Sequence, residues 1–142
     1  MGHNFRKITP DLMVSDISKT VRYYVDKLGF ELCMLVPEGE NCLEEKMSSS
    51  RRYVYAMVKR DGVFMMFMRR DVYGEDIKAL KNADIGASAS FYIDVEDVNG
   101  LYDAYEKKAV EIIREISLTW YGMKEFYIRD CNGYILGFGE RA

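Results

Sequence analysis

Short stretches of alternating apolar and polar residues recur along this chain, and each hands over to a segment whose apolar positions return about every 3.6 residues. Alternation over Ile8–Val14 predicts a strand, and Ile17, Val21, Tyr24 and Leu28 then share one face of a helix over 17–27. Asp16 stands at the joint as a helix cap. A second strand is expected over Phe30–Val36, and two more, Tyr53–Val58 and Val63–Met68, flank Asp61-Gly62, a pair suited to a type I′ turn. The same order then repeats. Strand Ser88–Val95 leads through Asp97 into helix Val98–Lys108, with Val98, Leu101, Tyr102, Tyr105 and Ala109 on one face. Strands Glu111–Ile116, Lys124–Ile128 and Tyr134–Phe138 follow, the last two joined through Asn132-Gly133, a second type I′ candidate. Polar residues 37–50 read as a loop, and a short helix over Glu75–Lys81 bridges the halves. The simplest architecture is α+β, built from two βαβββ units.

Composition narrows this picture. With 142 residues, 49% of them hydrophobic, the chain is expected to form one domain, 1–142, of two half-modules. The first spans about residues 5–70, a linker about 71–86, and the second about 87–140. Cys33, Cys42 and Cys131 are odd in number and lack metal-site spacing, which predicts a reducing, cytoplasmic setting without disulfides. No apolar run approaches a membrane span, and the segment from Met1 to Lys7 lacks the apolar core of a signal peptide. A net charge of −3 argues against nucleic acid as a partner.

Several of these residues also carry a family resemblance. The pattern Pro10-x-Leu12-x-Val14-x-Asp16, followed by Val21-x-x-Tyr24 and Leu28-Gly29-Phe30, resembles the opening of the glyoxalase/bleomycin-resistance/dioxygenase superfamily, also called vicinal oxygen chelate proteins. The segment from Trp120 to Glu140 resembles that superfamily's closing hairpin, most closely its bleomycin-resistance branch. The resemblance implies mixed sheets curled around a cleft, commonly in a homodimer. Isomerases, dioxygenases, thiol transferases and pure binding proteins share the fold, so function must come from the site.

Metal-using members carry His, Glu or Gln at inward positions of symmetry-related strands. By motif matching, those positions fall here at about Thr9, Met65 (with neighbours Phe64 and Met66), Ser90 and Gly137. Thioether and hydroxyl groups are poor ligands for zinc, iron, nickel or manganese. The one histidine, His3, is read as a solvated residue near the N-terminus, so a two-His-one-carboxylate iron site cannot be assembled from one chain. No metal and no cofactor are expected.

The apolar, adaptable residues suggest a ligand surface instead. Trp120 and Tyr121 lie in a Gly-containing segment ahead of a strand and can stack on flat rings. Met65, Met66, Tyr53, Tyr55 and Ser90 complete the candidate ligand-binding set, with core packing the competing reading for each strand residue. Glu38, Glu40, Glu44 and Glu45 form an acidic loop that would concentrate a cationic ligand if it bordered the cleft; an ordinary solvated loop is the alternative. Nucleophile elbow, phosphate loop and dinucleotide fingerprint are all missing, and Asp16, Asp97 and Asp130 read as two caps and a turn residue. The expected protein is a metal-free binder that sequesters an antibiotic-like, cationic or aromatic small molecule. A glyoxalase-like lyase or dioxygenase with atypical ligands is the alternative, and a structural or regulatory interaction domain the third class.

Overall fold

The computed structural model describes residues 2–142. The chain divides after Ala83 into two compact units, the second beginning at Asp84. In the first, β1 (Asp11–Val14), α1 (Ile17–Asp26), β2 (Glu31–Pro37), β3 (Tyr53–Arg60) and β4 (Val63–Arg69) form a sheet in the order β1-β4-β3-β2. A short helix, α2 (Arg70–Asp76), and a 3-10 turn at Lys78–Leu80 close the unit. The second unit repeats the plan with β5 (Ser90–Asp94), α3 (Val98–Lys107), β6 (Glu111–Leu118), β7 (Met123–Arg129) and β8 (Ile135–Arg141), ordered β5-β8-β7-β6. The first and last strands of each unit are parallel neighbours, and the other pairings are antiparallel. The fold is therefore α+β, with two four-stranded mixed sheets, as the repeated hydrophobic pattern requires.

Both expected caps form. Asp16 accepts a hydrogen bond from the Lys19 N–H at 3.0 Å and Asp97 one from the Gly100 N–H at 3.1 Å, each satisfying a donor that the first helical turn leaves free. On α1, Ile17, Val21 and Tyr24 are buried, as is Leu28 just beyond it. On α3 the face ends differently: Ala109 turns left-handed (φ +57) and is exposed, and Val110 takes the buried place. Helix α2 lies earlier than the expected 75–81. The Tyr73 hydroxyl donates to the Asp11 carbonyl at 2.7 Å, and Gly74 sits against Lys81, where a Cβ would meet the Lys81 Cα at 3.0 Å. Tyr73-Gly74 is thus a close-packed helical contact, although it reads as a break.

Neither hairpin uses a type I′ turn. At the first, Arg60 pairs with Val63 and only Asp61 has positive φ (+50), where a type I′ turn needs two such residues. At the second, the Gly133 N–H donates to the Asp130 carbonyl at 3.1 Å and Gly133 alone turns left-handed (φ +92), giving a longer loop. Asp130 organises it by accepting from the N–H groups of Asn132 and Tyr134, both at 2.8 Å.

Strand alternation gives each sheet two unlike faces. In the first unit, Leu12, Phe67, Ala56 and Leu35 form one cross-strand row of buried residues. The Tyr24 ring of α1 meets Phe67 with centroids 4.8 Å apart, so this row faces the helix. In the second unit, Phe126 and Phe138 stack at 5.2 Å under Tyr102 and Tyr105 of α3. The opposite faces carry the candidate chemistry.

Candidate functional site

In the second unit the row Arg114, Tyr127, Gly137, Tyr92 crosses the sheet opposite α3, with Glu125 and Gly139 paired in the next row. Glycine at 137 and 139 makes room for rings. A Cβ at Gly137 would meet the Tyr127 ring at 2.5 Å, and one at Gly139 would come within 2.5 Å of Tyr92 Cζ. The two tyrosine rings therefore lie on the bare backbone of β8, 6.3 Å apart between centroids. The Arg114 guanidinium rests over the Tyr127 ring at 4.6 Å, a cation–π contact.

This layer covers Glu125, which is only 1% exposed. Its Oε1 accepts from Arg114 Nη2 at 2.6 Å and from the Tyr121 hydroxyl at 2.7 Å, and its Oε2 accepts from the Tyr92 hydroxyl at 2.6 Å. Burial pushes the carboxyl up, but the two phenol bonds and the Arg114 charge outweigh it and hold the group below its usual range. Burial, followed by the Glu125 contact, raises Tyr92, and the Glu125 bond is the largest cause of the same shift at Tyr121. Both phenols keep their protons at neutral pH, and the carboxylate stays charged. Beside the cluster Trp120 is 94% exposed and meets Tyr121 edge-on at 5.2 Å; Tyr121 and Tyr92 are 48% and 43% exposed. Ser90 is exposed two residues before Tyr92 on β5, on the same face.

The first unit's open face is rich in thioethers. Asp11, Met66, Met57 and Met34 form one row, and Met13, Met68, Tyr55 and Val36 the next. Asp11 Oδ1 is buried without a hydrogen-bond partner among the described residues. Burial, and then Asp76, push its carboxyl up; burial, Asp11 and Cys33 likewise raise the Tyr55 phenol.

Of the expected ligand-binding residues, the second unit brings together Tyr121 and Trp120 and sets Ser90 farther along the same face, in the row of Ile135 and Arg129, and the first sets Met66 and Tyr55 on its open face. Met65 is 1% exposed in the row facing α1, paired with buried Val58, so it is core. Tyr53 is buried too, with its hydroxyl accepting from the Ser48 N–H at 2.8 Å. It lines a polar groove of about 530 Å³ together with Asp16, Glu38, Arg51, Arg52 and Arg69. The acidic loop is not a free negative field, because Arg51 pairs with Glu40 and Glu44, and Arg69 with Glu38 at 2.6 Å. Glu125, Arg114 and Tyr92 were not anticipated. Their signal was the alternation Glu125-Phe126-Tyr127-Ile128 opposite Gly137-x-Gly139, which leaves a carboxylate and rings on a face of bare backbone.

The donor set does not fit a divalent metal. Among the described residues no group of three His, Cys, Asp or Glu side chains could hold one. The motif-matched positions are Thr9, buried Met65, Ser90 and Gly137, and the nearby Glu125 already has three protein donors.

Comparison with known proteins agrees with the architecture. The family model for the "Glyoxalase/Bleomycin resistance protein/Dioxygenase superfamily" matches residues 6–138, and the chain belongs to that superfamily. Among solved structures it is similar to TioX from Micromonospora sp. ML1 (15% identity, TM-score 0.69, covering 97% of this chain and 100% of that one). It is also similar to a glyoxalase/bleomycin resistance protein/dioxygenase from Nocardioides (14% identity, TM-score 0.70, covering 99% and 87%). A third similar structure is the bleomycin-binding protein of bleomycin-producing Streptomyces verticillus, complexed with copper(II)-bleomycin (20% identity, TM-score 0.59, covering 96% of each chain). At these identities the likeness is one of fold. No curated protein sequence matches the chain.

Proposed function

We propose that this chain is a small-molecule binding protein that sequesters an antibiotic-like or aromatic ligand without making or breaking a bond. The observation that carries this reading is the layer of Tyr92, Tyr127 and Arg114 spread over β8, with exposed Trp120 at its border. Such rings offer flat apolar area at low entropic cost, and the carboxylate beneath them is saturated as a structural acceptor, which suits recognition better than proton abstraction. The bleomycin-binding protein of Streptomyces verticillus is a precedent for ligand binding on this fold.

The same proposal extends to assembly and setting. The chain would act as a cytoplasmic homodimer that confers resistance to the compound it holds. Free Cys33, Cys42 and Cys131 are compatible with a reducing compartment, and no helix among the described residues is long and apolar enough to cross a membrane. Light scattering at micromolar concentration is expected to give a dimer mass; a monomer would contradict the assembly.

A thermal-shift panel of bleomycin, flat aromatic antibiotics and small thiol adducts tests the function. At least one compound is expected to raise Tm and to be recovered chemically unchanged. Conversion of a panel member that depends on added divalent metal would overturn sequestration in favour of a glyoxalase-like lyase or dioxygenase.

A further inference from the structure

Glu125 fixes the direction of the hydrogen bonds around it. An ionised carboxylate only accepts, so the protons of Tyr92 and Tyr121 and one N–H of Arg114 are committed to it. What remains of those three groups is therefore of known polarity. The Tyr92 oxygen has lone pairs but no free proton, the Tyr121 oxygen already accepts from Thr119 and Arg114, and the Arg114 side chain, 53% exposed, has N–H groups but no acceptor. Arg114 and Tyr121 are adjacent, because both bond the same carboxylate oxygen. Arg114 also neutralises Glu125, so the cluster carries no net charge.

The surface thus presents a donor fork beside a phenolic acceptor on an aromatic bed. An aryl ammonium could donate to the phenol but would face the guanidinium. An aryl carboxylate could use the fork but would set its own lone pairs against those of the phenol. A carboxamide meets both demands, since its carbonyl accepts from Arg114 while its N–H donates to Tyr92, and its aryl group lies on the exposed rings beside them. The geometry points to a site on the open face of the second sheet for neutral planar aryl carboxamides, chosen over aryl cations and aryl carboxylates by the polarity that Glu125 imposes. This inference rests on the ligand-binding reading and names its ligand class.

Calorimetric titration of the full chain with 2-naphthamide, 2-naphthoate and 2-naphthylmethylammonium tests it, the three probes sharing one ring system. The amide is expected to bind about tenfold more tightly than either charged probe. Tyr92→Phe keeps the ring and removes the acceptor, and Glu125→Gln, which retains a single accepting oxygen, frees one phenol proton; both are expected to erase most of that margin. If Glu125→Gln fails to fold, Tyr92→Phe, at a half-exposed position, still decides. Equal affinity for all three probes, or a charged probe binding best, would overturn the polarity argument and leave sequestration standing. The same holds if no naphthalene binds while a member of the thermal-shift panel does. If nothing in either set binds, both readings fall.

Discussion

The Tyr92 ring lies against Gly139 so closely that a single methyl at residue 139 would occupy the place of its Cζ and hydroxyl. Gly139 has no positive φ, so its role is to leave space and not to bend the chain. Replacement by alanine should therefore act through Tyr92, by lifting the ring and breaking its bond to Glu125. Tyr92→Phe removes the same charge-assisted hydrogen bond, worth about 1.5–3 kcal/mol. Urea denaturation is expected to show a loss of that order for each single variant and a loss smaller than their sum in the double variant, where the hydrogen bond can be lost only once. Fully additive losses would mean that Gly139 serves some other neighbour.

Trp120 separates stability from binding. Because it is 94% exposed, Trp120→Ala should change unfolding free energy by no more than about 0.5 kcal/mol. If the ring stacks on the ligand, the same change should weaken binding by about 1–3 kcal/mol, as for truncated aromatics at base-stacking sites. Trp120 is the sole tryptophan, so ligand-induced quenching of intrinsic emission gives an independent reading. A ligand bound at micromolar affinity that leaves both emission and the Trp120→Ala affinity unchanged would remove this residue from the site.

Two carboxyls should respond to acid in opposite senses. Glu125 is held below its ordinary value of 4.5 in the folded state, so its stabilisation is complete above that value and fades as pH falls through the lower folded one. Asp11 is raised above 3.8, so it binds its proton more readily when folded, and its unfavourable contribution grows as pH rises from 3.8 through the folded value. Denaturation curves from neutral pH to about pH 3 are expected to show the deficit of Tyr92→Phe shrinking in acid. Asp11→Asn should gain about 1 kcal/mol at neutral pH by neutralising a buried oxygen that has no partner among the described residues, and that gain should vanish in acid. The same trend in both variants would contradict the assigned environments.

Metal content bears on the class of protein. Protein purified without an affinity tag is expected to carry divalent zinc, nickel, manganese or iron at well below one ion per chain, because the motif-matched positions Thr9, Met65, Ser90 and Gly137 offer no good ligands. Elemental analysis before and after chelation checks this. One tightly held ion per chain, removed together with an activity, would end the sequestration reading.

The fold was legible in the chain because the signals for it are local. Helix faces at Ile17, Val21 and Tyr24, caps at Asp16 and Asp97, and the order strand, helix, three strands all depend on neighbours within a few residues. Turn type was misjudged at both hairpins, since Asp130 holds a longer loop through side-chain bonds that a dipeptide preference ignores. The site was harder to see. Glu125 resembles any strand carboxylate until Tyr92, Arg114 and Tyr121 are brought to it from three other segments. Likewise, Met65 and Met66 are interchangeable in composition, and one residue of register separates the core from the open face.

Glu140 of β8 accepts from the N–H groups of Asp97 and Val98, both at 3.0 Å, and so holds the first turn of a helix that begins some forty residues before it. Strand β8 is also the inner neighbour of β5, the first strand of its unit. On a ribosome, β5, α3, β6 and β7 therefore emerge before the strand that joins β5 to β7 and secures α3. Only β6 and β7 can pair before then, and the unit's closure is a late, long-range event governed by when β8 becomes available.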